Sequence, residues 1–225
     1  MQLKQKKLNL HEINDDIKLL LLNEINNHIL LDEQPSAFLK SVVSTKIFKE
    51  YPFHMLSKLK ETEQSPIHHP EGNVWNHTLL VVDQAAIQKN RSRDKKLFMW
   101  AALLHDIGKA ETTKNKNGKI TAYNHESVGA DLCIKFLREF TADDEFIKKV
   151  AGLVRWHMQI LHVVKDMPFA DIKAMAEETD INEVALLGFC DRMGRTKVDI
   201  AKEKNNIKIF LEKCNCVIPK KVNDN

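Results

Sequence analysis

A chain of 225 residues with 43% hydrophobic and 29% charged side chains is long enough to bury a core, and its composition excludes a fibrous or intrinsically disordered protein. A formal charge of +3 at pH 7 is too small to indicate a nucleic-acid partner by itself. The four cysteines include no CxxC pair, which argues against a thiolate zinc site and favours free thiols in a reducing cytoplasm.

The pattern of apolar residues predicts an all-α protein. Seven glycines, six prolines and hardly any alternation of period two leave no predicted strand. The predicted helices cover residues 11–30, 36–49, 53–60, 73–90, 94–107, 125–140, 142–160, 168–178, 181–195 and 198–213. The apolar stretch IKLLLLNEI in the first of them is shorter than the ~20 residues of a membrane helix, so we predict neither export nor a membrane partner.

Capping residues predict where several helices begin. Thr141 precedes an acidic first turn and Asp180 precedes Glu183, so both are predicted N-caps, and Pro168 is predicted to open a helix at its first turn. The segments SPIHHPEG and ETTKNKNGKITAYN are predicted loops. The chain is predicted to consist of a helical N-terminal extension at 1–60, a central domain at 61–200, and a C-terminal helix and tail at 201–225.

Six of the ten histidines have an ordinary explanation. Four lie on amphipathic segments without ligand-type neighbours and are expected on the surface or in the core with a hydrogen-bond partner: His11, His28, His54 and His162. His68 and His69 lie in a proline-rich loop, where a functional role stays open.

The other four histidines and two aspartates lie on or beside predicted helices whose inward positions are apolar. They are His77, His105, Asp106, His125, His157 and Asp191. A buried imidazole must find a hydrogen-bond partner, and a buried unpaired carboxylate is costly. Six such groups on five segments can converge only in an interior cleft, where a shared divalent cation would compensate them together.

The order of these groups, with HDIGK at its centre, resembles the HD-domain metal-dependent phosphohydrolases. The segments HPEGNVWNHTLLVVDQAA, ALLHDIGKA, YNHESVGA, LVRWHM and DRMGR are similar in particular to the C-terminal HD portion of multifunctional CCA-type tRNA nucleotidyltransferases. The resemblance covers roughly residues 65–200 and implies an HD-domain helical bundle. Those enzymes also carry a nucleotidyltransferase head, with a glycine-rich turn and a strand that bears paired aspartates. The pair Asp15 and Asp16 does not match it, because it lies in a helical context without glycine, so CCA addition is not implied.

The resemblance also implies a metal centre. A first ion would be held by four groups: His77, His105, Asp106 and Asp191. A second ion, bridged by Asp106, would be held by His125 and His157; in a mononuclear site, one of these imidazoles would instead act as a general acid or donate a hydrogen bond to phosphate. Mixed nitrogen and oxygen ligands suit one or two ions of Fe, Mn, Co, Ni, Mg or Zn, and the sequence does not choose among them.

The implied reaction is hydrolysis of a phosphate ester by a metal-activated water. A phosphomonoesterase or phosphodiesterase that acts on a nucleotide or a similar small phosphate ester is the leading hypothesis, with Asp106 as its central catalytic residue. Lys109 is expected to reach the phosphate, and Arg195, one turn from Asp191, to present a guanidinium fork. Two further carboxylates, Glu71 and Asp83, are weaker candidates, either for orienting His77 or for solvation alone.

Two other functions stay open at this point. One is a non-catalytic nucleotide- or RNA-binding module, although the charge gives no indication of RNA, and the other is an HD-type diiron oxygenase. Substrate choice is expected to lie in the loops 62–72 and 111–124.

Overall fold

The structure is a computed structural model that describes the backbone of residues 10–218 and the side chains of residues 15–218. The α-helices of this part are α1 (Leu10–Leu31), α2 (Pro35–Val42), α3 (His54–Ser57), α4 (Val74–Gln88), α5 (Lys95–Leu104), α6 (Lys109–Thr112), α7 (His125–Arg138), α8 (Asp144–Trp156), α9 (Gln159–Val164), α10 (Ile172–Glu178), α11 (Ile181–Met193) and α12 (Ile200–Val217). Short 3-10 turns lie at Ile47–Lys49, Lys58–Lys60 and Lys89–Arg91. The predicted all-α fold class is confirmed.

The centre of the bundle is α5. Every residue from Leu97 to Leu104 is buried, and the helix packs against α1, α4, α8 and α11. A helix enclosed on all sides must be apolar on all faces, which explains the run LFMWAALL. Its N-cap is Asp94, which accepts a hydrogen bond from the Leu97 amide. Because α5 ends in the core, the next two residues, His105 and Asp106, are buried as well.

The helices α4 and α11 approach each other closely where α11 ends. A Cβ atom on Gly194 would lie 2.5 Å from Cγ2 of Val81 and 3.0 Å from its backbone nitrogen, so a larger residue would push the two helices apart. This contact fixes the position of α11 along α4. It brings His77 of α4 within hydrogen-bond distance of Asp191 of α11.

A second close approach joins the turn after α5 to the start of α7. A Cβ atom on Gly108 would lie 2.1 Å from the carbonyl oxygen of His125 and 2.5 Å from the nitrogen of Gly129. The φ angle of Gly108 is −69°, so glycine is needed here for space and not for backbone conformation. The contact places His125 beside Asp106.

The prediction that the chain contains no strand is wrong for residues 114–121. Two short strands, β1 (Lys114–Lys116) and β2 (Lys119–Thr121), form an antiparallel hairpin within the second predicted loop. Its turn is Asn117–Gly118, with φ angles of 53° and 77°, the conformation that Asn-Gly adopts most readily. The strands carry mostly exposed polar residues, so no alternation of apolar residues reveals them.

Two predicted helix starts are also wrong, while Asp180 caps α11 as predicted. The side chain of Asp143, and not that of Thr141, accepts a hydrogen bond from the first turn of α8. Asp171 caps α10, so Pro168 lies in the turn before this helix. In both cases a carboxylate, which also interacts favourably with the helix dipole, takes the capping position. The predicted helix at 142–160 is interrupted between α8 and α9.

The predicted division into 1–60, 61–200 and 201–225 stays a prediction, and residues 1–9 and 219–225 lie outside the described part, as does the side chain of His11. All four cysteines are free thiols, as predicted. Among the described helices, none combines the length and apolar character that crossing a membrane requires.

Candidate metal centre

The six predicted ligands come together in the structure. All six are buried. They lie as follows along the fold: His77 on α4, His105 and Asp106 in the turn after α5, His125 at the start of α7, His157 at the end of α8, and Asp191 on α11. Their role as metal ligands stays a prediction, but their convergence on one cleft is a feature of the fold.

Asp106 lies at the centre of this group. Its Oδ2 atom is 3.3 Å from Nε2 of His105 and 3.9 Å from Nε2 of His77. Its Oδ1 atom is 3.4 Å from Nε2 of His125 and 3.8 Å from Nε2 of His157. Each carboxylate oxygen therefore faces a different pair of imidazoles, as expected for a carboxylate between two cations. The structure correspondingly contains two overlapping ligand groups that share Asp106, each with its atoms within 4.8 Å of one another.

Three of the imidazoles are held in one tautomer by backbone carbonyl groups. The Nδ1 atoms of His105, His125 and His157 lie 2.9, 2.8 and 2.6 Å from the carbonyl oxygens of Ala102, Ala122 and Val154. A carbonyl oxygen only accepts, so each Nδ1 carries the proton. In the neutral ring, each Nε2 then presents a lone pair to the cleft, which is the arrangement typical of metal-ligating histidines.

These lone pairs lack partners within the described structure. The Nε2 atoms of His125 and His157 face each other at 3.3 Å, and neither carries a proton in the tautomer that the carbonyl groups impose. Nε2 of His105 is buried without a hydrogen-bond partner, and Oδ2 of Asp106 meets only the ammonium group of Lys109. Unsatisfied buried polar atoms cost about 1–3 kcal/mol each, and bound divalent cations would satisfy the three imidazole nitrogens. The donor set therefore fits such an ion.

The protonation states also suit metal binding. Burial is the main cause, and the charges of the neighbouring His125 and His105 are further causes, that lower the pKa of His157 to about 3. Burial also lowers the pKa of His125. Burial alone would raise the pKa of Asp106, but Lys109 and His105 outweigh it and hold this pKa well below its usual range. Near neutral pH these groups are neutral imidazoles and an ionised carboxylate, the forms that bind metal ions.

His77 lies between two carboxylates. Its Nε2 is 2.9 Å from Oδ1 of Asp191, and its Nδ1 is 2.9 Å from Oε1 of Glu71. Burial alone would lower the pKa of His77, but the hydrogen bonds to Asp191 and Glu71 outweigh it and raise this pKa. Glu71 thus has the position expected of a residue that orients His77. Asp83 does not, because it accepts a hydrogen bond from the backbone nitrogen of Ser36.

Lys109 and Arg195 line the same pocket. Nζ of Lys109 lies 2.7 Å from Oδ2 of Asp106 and donates a hydrogen bond of 2.7 Å to Oε1 of Gln64. Arg195 lies just beyond the end of α11, and its charge contributes to a pKa of Asp191 well below the usual range. Its Nε atom is buried without a hydrogen-bond partner. Two cations therefore stand beside the candidate ligands.

Sequence reasoning missed two residues beside the site. His69, whose role stayed open, has Nδ1 2.9 Å from Oε1 of Glu71. The second is Gln64, whose side chain joins Lys109 to the carbonyl oxygen of Gly72. The proximity of His69 to Glu71 in HHPEG is a signal for the first, but no sequence pattern identifies Gln64.

The pocket above these residues has a volume of about 180 Å³. One wall comes from the loop 62–72, with Gln64 and His69, and another from the loop 111–124, with Thr113 and Thr121. The two loops that we expect to choose the substrate therefore both face the candidate ligands.

Comparison with known proteins identifies a family and more distant relatives. The family model for the HD domain matches residues 74–193, just over half of the chain. The multifunctional CCA protein of Hahella chejuensis is 34% identical over 99 residues, 44% of this chain and 22% of that protein. Those of Methylococcus capsulatus and Aromatoleum aromaticum are 31% and 32% identical over 128 and 125 residues, 57% and 56% of this chain and 28% and 29% of those proteins. The chain thus spans less than a third of the length of these relatives.

Proposed function

The chain belongs to the HD domain family, which forms part of a superfamily of metal-dependent phosphohydrolases, and on this premise we propose that it hydrolyses a nucleotide or a similar small phosphate ester. The reaction would be that of a phosphomonoesterase or a phosphodiesterase. The CCA relatives share only part of their length with the chain, so the substrate is inferred from the site.

One observation carries this proposal: a single pocket is lined by four of the six buried donors and by the cations Lys109 and Arg195. The four donors are Asp106, His125, His157 and Asp191. The donors supply the ligands of a divalent ion, and the cations supply charge for a phosphate group. Cationic side chains beside a metal site would add charge-assisted hydrogen bonds to the phosphate oxygens of an anionic ester.

The metal would be held by two groups that share Asp106, one with His77 and His105 and the other with His125 and His157. Asp191, which contacts His77, would complete the first group. A bound divalent ion would act as a Lewis acid and make a water molecule acidic enough to attack at neutral pH. Fe, Mn, Co, Ni, Mg and Zn all accept such ligands.

The chain's own residues have three tasks. Asp106, kept ionised by Lys109, remains available as a ligand at neutral pH. Lys109, which donates a hydrogen bond to Gln64, would neutralise charge on a phosphate oxygen. Arg195 has an unpartnered Nε atom and a planar guanidinium group that matches phosphate geometry.

The test is metal analysis of the purified protein followed by an activity screen. Metal-free protein receives each of the six candidate ions in turn and is assayed with p-nitrophenyl phosphate, bis(p-nitrophenyl) phosphate and nucleoside monophosphates. We expect ester cleavage that depends on the added ion. Bound metal without cleavage of any ester would favour a binding module, and oxygen consumption without phosphate release would favour an oxygenase; either result would overturn the proposal.

A further inference from the structure

We propose that the substrate carries a second phosphate group, which binds in a basic groove next to the metal pocket; this inference rests on the proposed function. The basic groove is lined by four cationic side chains: Arg192, Arg195, Lys197 and Lys202. It has a volume of about 480 Å³ and lies between the end of α11, the start of α12 and the loop segment 66–70.

The basic groove continues from the metal pocket. His68 and Arg195 line both cavities, so the two share a wall. A ligand with one phosphate beside Asp106 therefore has its remaining atoms next to the basic groove. The exposed side chain of Ile67, which lines the basic groove beside His68, offers an apolar surface for the part of the molecule that joins the two phosphates.

Lys197 and Lys202 are not paired with a carboxylate within the described residues, whereas the charges of Arg192 and Arg195 act on the buried Asp191. None of the four forms an ion pair of 4.0 Å or less there, and none of their side chains donates a hydrogen bond. The two carboxylates of the groove have other partners. Asp199 caps α12 by accepting from the Lys202 amide, and Glu203 accepts from the side chain of Asn206.

The four cations outnumber the three nearby carboxylates, Asp191, Asp199 and Glu203, so the groove has a net positive charge. Guanidinium and ammonium groups without protein partners suit a phosphate group, which accepts several charge-assisted hydrogen bonds. Because the groove shares a wall with the metal pocket, the second phosphate would belong to the same molecule as the scissile ester. A nucleoside bisphosphate or a dinucleotide has this chemistry, whereas a nucleoside monophosphate does not.

The experiment compares adenosine 3′-monophosphate with adenosine 3′,5′-bisphosphate as substrates of the metal-loaded protein. We expect kcat/KM to be about tenfold higher for the bisphosphate, as for about 1.4 kcal/mol of added interaction. In the Lys197→Ala, Lys202→Ala double variant this ratio should fall towards one. The matched control is Lys204→Ala, Lys208→Ala, which also removes two positive charges but from a different groove. This control should keep the wild-type ratio.

Three results would overturn the inference. The first is equal kcat/KM for the two nucleotides in wild type, and the second is an equal change of their ratio in the control variant. The third is an equal fall in kcat/KM for both nucleotides in the Lys197→Ala, Lys202→Ala variant. If this ratio is one in wild type and inorganic phosphate nevertheless competes with both nucleotides, the groove holds a free anion and not a phosphate group of the substrate.

Failure of the proposed function is separable. If neither nucleotide is cleaved with any ion, equilibrium binding of both to the metal-loaded protein is measured by calorimetry. Tighter binding of the bisphosphate, lost in the Lys197, Lys202 variant, would then support the basic groove although hydrolysis had failed. Equal binding of the two nucleotides would overturn it.

Discussion

Oε1 of Glu71 lies 2.9 Å from Nδ1 of His77, and the Glu71 side chain is only 2% exposed. The same oxygen is 2.9 Å from Nδ1 of His69. Burial alone would raise the pKa of Glu71, but hydrogen bonding to His77 and His69 outweighs it and lowers the pKa to about 2. An ionised carboxylate therefore holds the imidazole ring of a candidate ligand from behind.

The first prediction concerns this carboxylate. Glu71→Gln should weaken metal binding about 10- to 100-fold, because an amide lacks the charge that orients His77 and raises its basicity. Metal titration of the apoprotein measures the dissociation constant directly. Glu61→Gln, an exposed change in the preceding loop, is the control. Glu71→Asp should restore part of the affinity; unchanged metal binding in Glu71→Gln would show that Glu71 serves only the packing of the loop.

The second prediction concerns Asp106. Asp106→Ala should remove bound metal and lower turnover by at least about a thousandfold, because both ligand groups share this carboxylate. Lys109 keeps its hydrogen bond to Gln64, so we expect a folded protein with a cooperative thermal transition by circular dichroism. Asp83→Asn, at a carboxylate outside the site, should retain metal and activity. Wild-type turnover in Asp106→Ala would contradict the proposed site.

The third prediction concerns the number of metal ions. The wild-type apoprotein should bind more than one equivalent of metal tightly, and the His125→Ala, His157→Ala double variant should approach one equivalent. The reason is that these two imidazoles face only one oxygen of Asp106, while His77 and His105 face the other. Calorimetric titration with elemental analysis gives the stoichiometry. If both proteins bind the same single equivalent, the two histidines handle substrate in a mononuclear site.

The fourth prediction concerns Gly108. Gly108→Ala should lower the free energy of unfolding by at least about 2 kcal/mol, because its Cβ atom would lie 2.1 Å from the backbone oxygen of His125. Gly152→Ala is the matched control within α8, where the nearest atom is at 3.5 Å and alanine should stabilise the helix by about 0.5–1 kcal/mol. Urea unfolding measures both. A Gly108→Ala variant as stable as wild type would show that α7 can move away from the turn.

The candidate ligands could be predicted from the sequence because they violate a simple rule. His105 and Asp106 end an apolar helix, and Asp191 interrupts another, so each is a polar group where burial is expected. The cost of burying such groups requires partners, which one another, neighbouring side chains or a bound cation can supply. Physical reasoning of this kind identifies which residues converge without giving their distances.

The loops could not be predicted in the same way. Gln64 contacts Lys109 across 45 positions of the sequence, and no local pattern records such a contact. The hairpin β1–β2 had a local signal in Asn117–Gly118, but its strands lack the apolar alternation on which strand prediction depends. Thr141 and Pro168 were acceptable helix starts by local preference, and acidic residues nearer each helix took their place.

The contact between Glu71 and His77 also has a consequence for the extent of the functional unit. The matched HD segment begins at residue 74, whereas Gln64, His69 and Glu71 all precede it, and Arg195 follows its end at residue 193. A fragment trimmed to the matched segment would retain the six candidate ligands but lose the side chains that hold His77 and Lys109 in position. The smallest piece of chain that contains the whole site therefore extends beyond both family boundaries, and domain excision for functional work should begin before residue 64 and end after residue 195.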